Sequence, residues 1–208
     1  MRTHLLPLVI FVTGALAVSA QVGPPPRLTP LDATGRVTYF VADGIERSGH
    51  RPGDTELVTW ALHEWEAAAG GALRFERSDV ETSGLIRIYW LPWAAGEIGH
   101  MRPIRSLGRV VSTVFLRPDT NRMGDAVARR VAADLLMRDV IVYHLSLHEL
   151  GHALGLGHST DSADIMVARP NLAVYERYRR LVDDRAAIRR GGWLSAGDTA
   201  AIRALYQR

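Results

Sequence analysis

The chain has 208 residues, 47% of them hydrophobic and 23% charged, enough to bury a core; this composition argues against overall disorder, and the length favours one domain or at most two small ones. It contains no cysteine, which excludes disulfides, thiolate catalysis and cysteine-based zinc sites and leaves His, Asp and Glu as the available ligands and bases. All 25 basic residues are arginine, yet the formal net charge is only +3 and no basic stretch is interleaved with aromatics, so nucleic acid is not an expected partner.

Residues 1–20 read as a secretory signal: Arg2, the apolar run Leu5 to Val18, then Val18-Ser19-Ala20 before Gln21. The apolar run is shorter than the roughly 20 residues of a spanning helix and contains Pro7 and Gly14, which favours cleavage over an uncleaved anchor. The expected location is outside the cytoplasm, extracellular or periplasmic, with no membrane association once the signal is removed. Residues 21–35, with VGPPPRLTPLDATG at 22–35, read as a proline-rich connector, and the folded domain is expected over 36–208.

RVTYFVAD (36–43) is strand-forming, and RPGDTELVTWALHEWEAAAGG (51–71) is helical, with Asp54 as the expected N-cap and Gly70-Gly71 as the stop. Leu57, Trp60, Ala61, Trp65 and Ala68 form its apolar stripe, and His63, off the stripe, reads as a surface histidine. ALRFER (72–77), GLIRIYWL (84–91) and RVVSTVFLRP (109–118) read as strands of one sheet, with His100 in a loop between the last two. DAVARRVAADLL (125–136) and RDVIVYHLSLHELGHALG (138–155) are helical, as one long helix or two abutting ones. In the second, Ile141, Leu145, Leu147, Leu150 and Leu154 face a sheet. The arginine-rich 169–190 stretch reads as a solvated helix. A last helix over 194–208 has Ser195 as cap with Asp198 completing a capping box, and Leu194, Ala201, Ile202 and Leu205 turned inward.

Chemistry concentrates in HELGHALGLGH, residues 148–158, with His144 one turn upstream. His148 and His152, four apart on a helix, project from one face about 6 Å apart along the axis, within reach of one ion. On a continued helix His158 would be rotated about 240° from His152 and unable to join them. The helix must therefore end, and Gly155 and Gly157 are the residues that permit a reversal. Three imidazoles leave a fourth tetrahedral position for water, the arrangement of a catalytic zinc, and Glu149 lies about 100° from His148, placed to take a proton from that water. A fourth imidazole would displace the water, so His144 is assigned a supporting or packing role.

The pattern His148, Glu149, His152, Gly155, His158 resembles the metzincin metalloproteases, and its matrixin branch in particular. Ser159 follows the third histidine as in matrixins, and Met166 in SADIMVA stands where that family has its Met-turn. LSAGDTAAIRALY is similar to the matrixin C-terminal helix. The resemblance implies an α+β metzincin-type zincin fold with a twisted mixed sheet, a long active-site helix, a Met-turn and a C-terminal helix. It implies one catalytic zinc on His148, His152 and His158, Glu149 as general base, and Met166 as a hydrophobic floor. It implies hydrolysis of protein or peptide substrates; a monomer is expected.

The sequence also departs from the pattern. Val167-Ala168-Arg169-Pro170 replaces the Tyr and Pro that usually follow the Met-turn methionine, and no histidine and aspartate cluster marks a second zinc, His100 reading as an isolated loop residue. Calcium could use Asp119 or Asp125, but no loop motif supports it. The segments 119–138 and 170–192 look longer than their matrixin counterparts. Two other readings remain open: a non-catalytic, zinc-stabilised binding module on the same fold, and a zinc hydrolase of a non-peptide substrate.

Overall fold

The computed structural model describes residues 29–94 and 97–207, so the expected signal and the first part of the connector lie outside the described residues. Five strands form one sheet: β1 (Arg36–Val41), β2 (Arg74–Arg77), β3 (Ile86–Trp90), β4 (Gly99–Ser106) and β5 (Arg109–Leu116). Their order is β2-β1-β3-β5-β4, all neighbours parallel except the antiparallel β4–β5 pair at one edge. The sheet is mixed, as the resemblance implied. Strand β4 is the element not anticipated: GHMRPIRS has no apolar alternation and contains glycine and proline, and it becomes a strand because β5 pairs with it along its whole length.

The helices are α1 (Asp54–Ala68), α2 (Asp125–Ala133), α3 (Leu135–Leu154), α4 (Leu172–Arg179), α5 (Arg185–Ile188) and α6 (Ala196–Tyr206). The two candidate helices at 125–155 are separate: Asp134 sits between them in extended backbone and its carboxylate accepts the Leu136 amide, capping α3. The arginine-rich stretch is also broken, into α4 and the short α5, and is anchored rather than solvated all round because Tyr175 and Tyr178 are buried.

Helix α1 buries Leu57, Val58, Ala61, Leu62 and Trp65, while Trp60 and Ala68 are only half-buried, so its inward face is rotated from the expected stripe. Each large side chain taken fully from water in this way contributes about 1.5–3 kcal/mol. Indole Nε1 of Trp65 donates to the Leu147 carbonyl at 2.9 Å, fixing α1 against α3. Asp54 is not the N-cap, which is Gly53. As the first helical residue it is 1% exposed and receives both Nη1 (2.6 Å) and Nη2 (2.8 Å) of buried Arg138 on α3. A carboxylate can be buried there because a bidentate guanidinium replaces its lost hydration.

On α3, Leu145, Leu147, Leu150 and Leu154 enter the main core beneath the sheet, whereas Ile141 joins Val127, Val131, Met137 and Tyr175 in a second cluster under α2 and α4. Helix α6 has the expected capping box between Ser195 and Asp198; Ile202 and Leu205 are buried and Leu194 is half-buried, but Ala201 is exposed. No helix among the described residues is long and apolar enough to cross a membrane.

Candidate metal centre

Helix α3 ends where the histidine spacing requires. Gly155 takes φ 108° in the left-handed region, and a side chain there would strike the Thr29 carbonyl and Leu205. Gly157 does not take positive φ, so Gly155 alone makes the break. The reversal brings His158 back beside the helix, with its Nε2 3.1 Å from that of His152, and His148 Nε2 lies 3.1 Å from the same atom. Ligand atoms of the three residues fall within 4.8 Å of one another, and no second such group of three or more occurs among the described residues.

The protonation pattern explains what these nitrogens are for. His148 Nδ1 lies 2.8 Å from the Ile165 carbonyl and His152 Nδ1 lies 2.9 Å from the Leu156 carbonyl. Each ring donates its proton there, which leaves the Nε2 atoms as lone pairs. Burial first, and the neighbouring histidines as well, hold His148 down to about 4 and lower His152, so both rings are neutral near pH 7. The His148 and His152 lone pairs, 3.1 Å apart, repel one another unless a cation lies between them. The spacing is close to the roughly 3.3 Å separating imidazole nitrogens placed about 2.05 Å from a tetrahedral zinc. The three residues fit a metal ion.

Two carboxylates set the frame beneath the histidines. Buried Asp198 accepts the Ser195 amide (3.0 Å) and the Ile165 amide (2.8 Å) on one oxygen and the Met166 amide (3.4 Å) on the other. The helix-capping residue thus also holds the Met-turn, whose Ile165 carbonyl orients His148. Asp164 receives the hydroxyls of Ser159 and Ser195, each at 2.5 Å, tying the residue after His158 to the start of α6. Met166 is 3% exposed and lies against Gly151, where an added Cβ would collide with its sulfur and press on Trp65. Gly151 stands between the fixed histidines, and only the approach of Met166 reveals why it is glycine.

Glu149 is buried beside the histidines. Its Oε2 has no partner, and burial raises its carboxyl to about 8, with Arg117 lowering it and Glu97 raising it further. Gly99 on β4 lies so close that an added Cβ would be 2.8 Å from Glu149 Oε1 and 2.7 Å from Leu145, so glycine lets the edge strand form the wall of the site. His100, expected in a loop, is on β4 and half-buried. Its Nδ1 faces the Arg117 guanidinium at 3.1 Å and Glu97 at 3.3 Å, and its ring packs on Phe115. Arg117, missed in the sequence, is buried and bridges Glu97 and the Pro92 carbonyl. Asp119, considered for calcium, instead faces Arg122 at 3.8 Å.

The cleft over the histidines has a volume of about 340 Å³ and is walled by Gly99, His100 and Met101 on one side and Ala168 and Pro170 on the other. Ala168 and Pro170 belong to the stretch 167–170 in which the sequence departs from the matrixin pattern. His144 lies at the same cleft, 1% exposed, with its ring edge-on to Tyr175 and Tyr178 at 5.3 and 5.2 Å; burial holds it down to about 3, and it is outside the group of three. A larger groove of about 860 Å³ on the outer face of α1, where exposed His63 lies, has no such convergent donors among the described residues.

Comparison with curated proteins gives no match. Comparison with protein families matches residues 33–191 to the peptidase family M10, the matrixins, over a span that includes all three histidines, Glu149 and Met166. The chain therefore belongs to the matrixin family of metallopeptidases.

Proposed function

We propose that the protein is a secreted, zinc-dependent endopeptidase. Its signal would be residues 1–20, its connector 21–35 and its catalytic domain 36–208. The observation that carries the reading is the convergence of three imidazole Nε2 atoms next to a buried carboxyl group whose Oε2 has no hydrogen-bond partner. His148, His152 and His158 would hold the ion. When bound, zinc supplies Lewis acidity, making a water acidic near neutral pH and polarising the scissile carbonyl.

The chain's own residues supply the proton transfers and the placement. Glu149 takes the proton of the attacking water at a carboxylate oxygen and delivers it to the departing amine nitrogen, ending in its starting state. A cation at the histidines favours the ionised form that accepts the first proton, against the burial that raises it. The edge strand β4 pairs with β5 on one side, and its other side borders the cleft, where an extended polypeptide can add as a further strand. An open groove admits the interior of a chain, which supports endopeptidase rather than exopeptidase action. A purely structural metal site has no use for Glu149, which weighs against a binding module.

The test is a peptide library with both termini blocked, incubated with zinc-loaded protein and analysed by mass spectrometry. Cleavage at internal bonds, lost in Glu149→Ala with zinc still bound, is the expected result. Absence of any peptide cleavage by zinc-loaded protein would move the assignment to a binding module or to a non-peptide hydrolase.

A further inference from the structure

The hairpin joining β4 to β5 turns at Leu107-Gly108, flanked by the cross-strand pair Ser106 and Arg109. Both turn residues have positive φ, 50° and 77°, as in a type I′ turn. Leu107 is the one non-glycine residue with positive φ among those described. A branched side chain is disfavoured there, and Asn, Asp or Gly would be the choice of a sequence selected for the turn alone. Leu107 is also 83% exposed, so it gains little from packing within the chain. Ile104 and Val110, at 41% and 48% exposure, flank it on the two strands. Interleaved with these aliphatics are Arg102, Arg105 and Arg109, all exposed and none paired with an acidic side chain among the described residues. The tip stands clear of the fold, since a Cβ built on Gly108 would meet nothing within 4 Å.

We propose that this hairpin tip docks the protein end-on on an anionic phospholipid surface, with Leu107 leading into the acyl boundary, Ile104 and Val110 following on the hairpin's two opposite faces, and Arg102, Arg105 and Arg109 reaching back to the headgroups. Alternation of aliphatic and guanidinium side chains at a protruding tip is the chemistry of an interfacial anchor. A protein partner would more usually be met by aromatic anchors in a packed, enclosed patch. The proposal departs from the expectation of no membrane association, and the contact it describes is peripheral and needs no spanning helix. Strand β4 runs from this tip to Gly99 at the cleft, about 25 Å along the strand, so docking would hold the cleft within reach of polypeptides at the membrane.

The test is co-sedimentation of the full protein with vesicles of phosphatidylcholine alone or mixed equally with phosphatidylglycerol. It needs no hydrolytic activity, so its outcome is independent of the peptidase reading. Binding is expected to the anionic vesicles, weaker by about a hundredfold in the triple variant Arg102→Gln/Arg105→Gln/Arg109→Gln, taking about fivefold for each arginine. Leu107→Asn, which suits the turn better, is expected to melt at the same or a higher temperature, bind vesicles about tenfold more weakly, and cleave a soluble peptide as before. Equal binding to both vesicle types, or binding unchanged in Leu107→Asn and the triple variant, would overturn the proposal. So would stronger binding to polyglutamate-coated beads than to anionic vesicles, which would point to an acidic polypeptide.

Discussion

Replacing Asp198 separates acceptor geometry from charge, because one oxygen carries both short contacts. Oδ2 accepts the Ile165 amide at 2.8 Å and the Ser195 amide at 3.0 Å; Oδ1 contributes the longer 3.4 Å contact to Met166. In Asp198→Ala the helix loses its capping box and the buried Ile165 and Met166 amides lose their acceptor. With about 1 kcal/mol for the cap and about 1–3 kcal/mol for each of the two buried amides left unsatisfied, the cost is roughly 3–7 kcal/mol. Asp198→Asn keeps an oxygen that can serve the two short contacts and loses chiefly the long one, so its cost is about 1 kcal/mol. Urea unfolding of the metal-free variants measures both, and zinc affinity by competition with a chelator reads the consequence for His148. Loosening the Ile165 carbonyl should weaken zinc about 10–100-fold in Asp198→Ala. Equal costs for Asn and Ala would show that charge matters rather than acceptor geometry. An Ala variant within 0.5 kcal/mol of the parent, about the scatter of ordinary surface substitutions, would refute the reasoning.

Gly151→Ala should destabilise by about 1–3 kcal/mol through its collision with the Met166 sulfur; the cost should shrink in a Met166→Ala background, a coupling measurable by a double-mutant cycle in urea. Arg138→Met should cost about 3–5 kcal/mol by leaving Asp54 buried and unpaired, and Asp54→Leu/Arg138→Met should recover much of that loss in thermal melts. His144 gives a pH signature. Its ring stays neutral in the fold down to about 3 but takes a proton near 6.5 when unfolded, so above pH 6.5 it adds no pH dependence. As pH falls from 6.5 towards 3 it destabilises progressively, by about 2 kcal/mol at pH 5. Metal-free His144→Leu should lose correspondingly less stability than the parent between pH 7.5 and pH 5, and equal losses would place His144 in contact with water.

The convergence of the three histidines was legible in the sequence because it is local: two histidines on one helical face, a glycine that ends the helix, and a third histidine just beyond. Gly155 could be assigned its role from spacing alone, and its φ of 108° agrees; Gly157 could not be distinguished from it without the backbone. What stayed hidden depends on distant pairing. Strand β4 has no alternating pattern because its exposed residues face solvent on an edge, and only β5 makes it a strand. Arg117 lies far along the chain from Glu149 and meets the site only through that pairing, and Gly99 and Gly151 are explained by what approaches them rather than by their neighbours in sequence. Asp54 misled because a cap and a buried ion-pair partner look alike at the start of a helix.

The central claim is that three histidines hold one zinc and that Glu149 moves the proton. Metal-free protein titrated with zinc, with bound metal and hydrolysis of an internally quenched peptide followed together, tests it most directly. Activity should rise in step with zinc to one equivalent, and Glu149→Gln should bind the same equivalent with hydrolysis reduced by at least about a hundredfold. Full turnover in Glu149→Gln, or hydrolysis that persists without metal, would contradict the account.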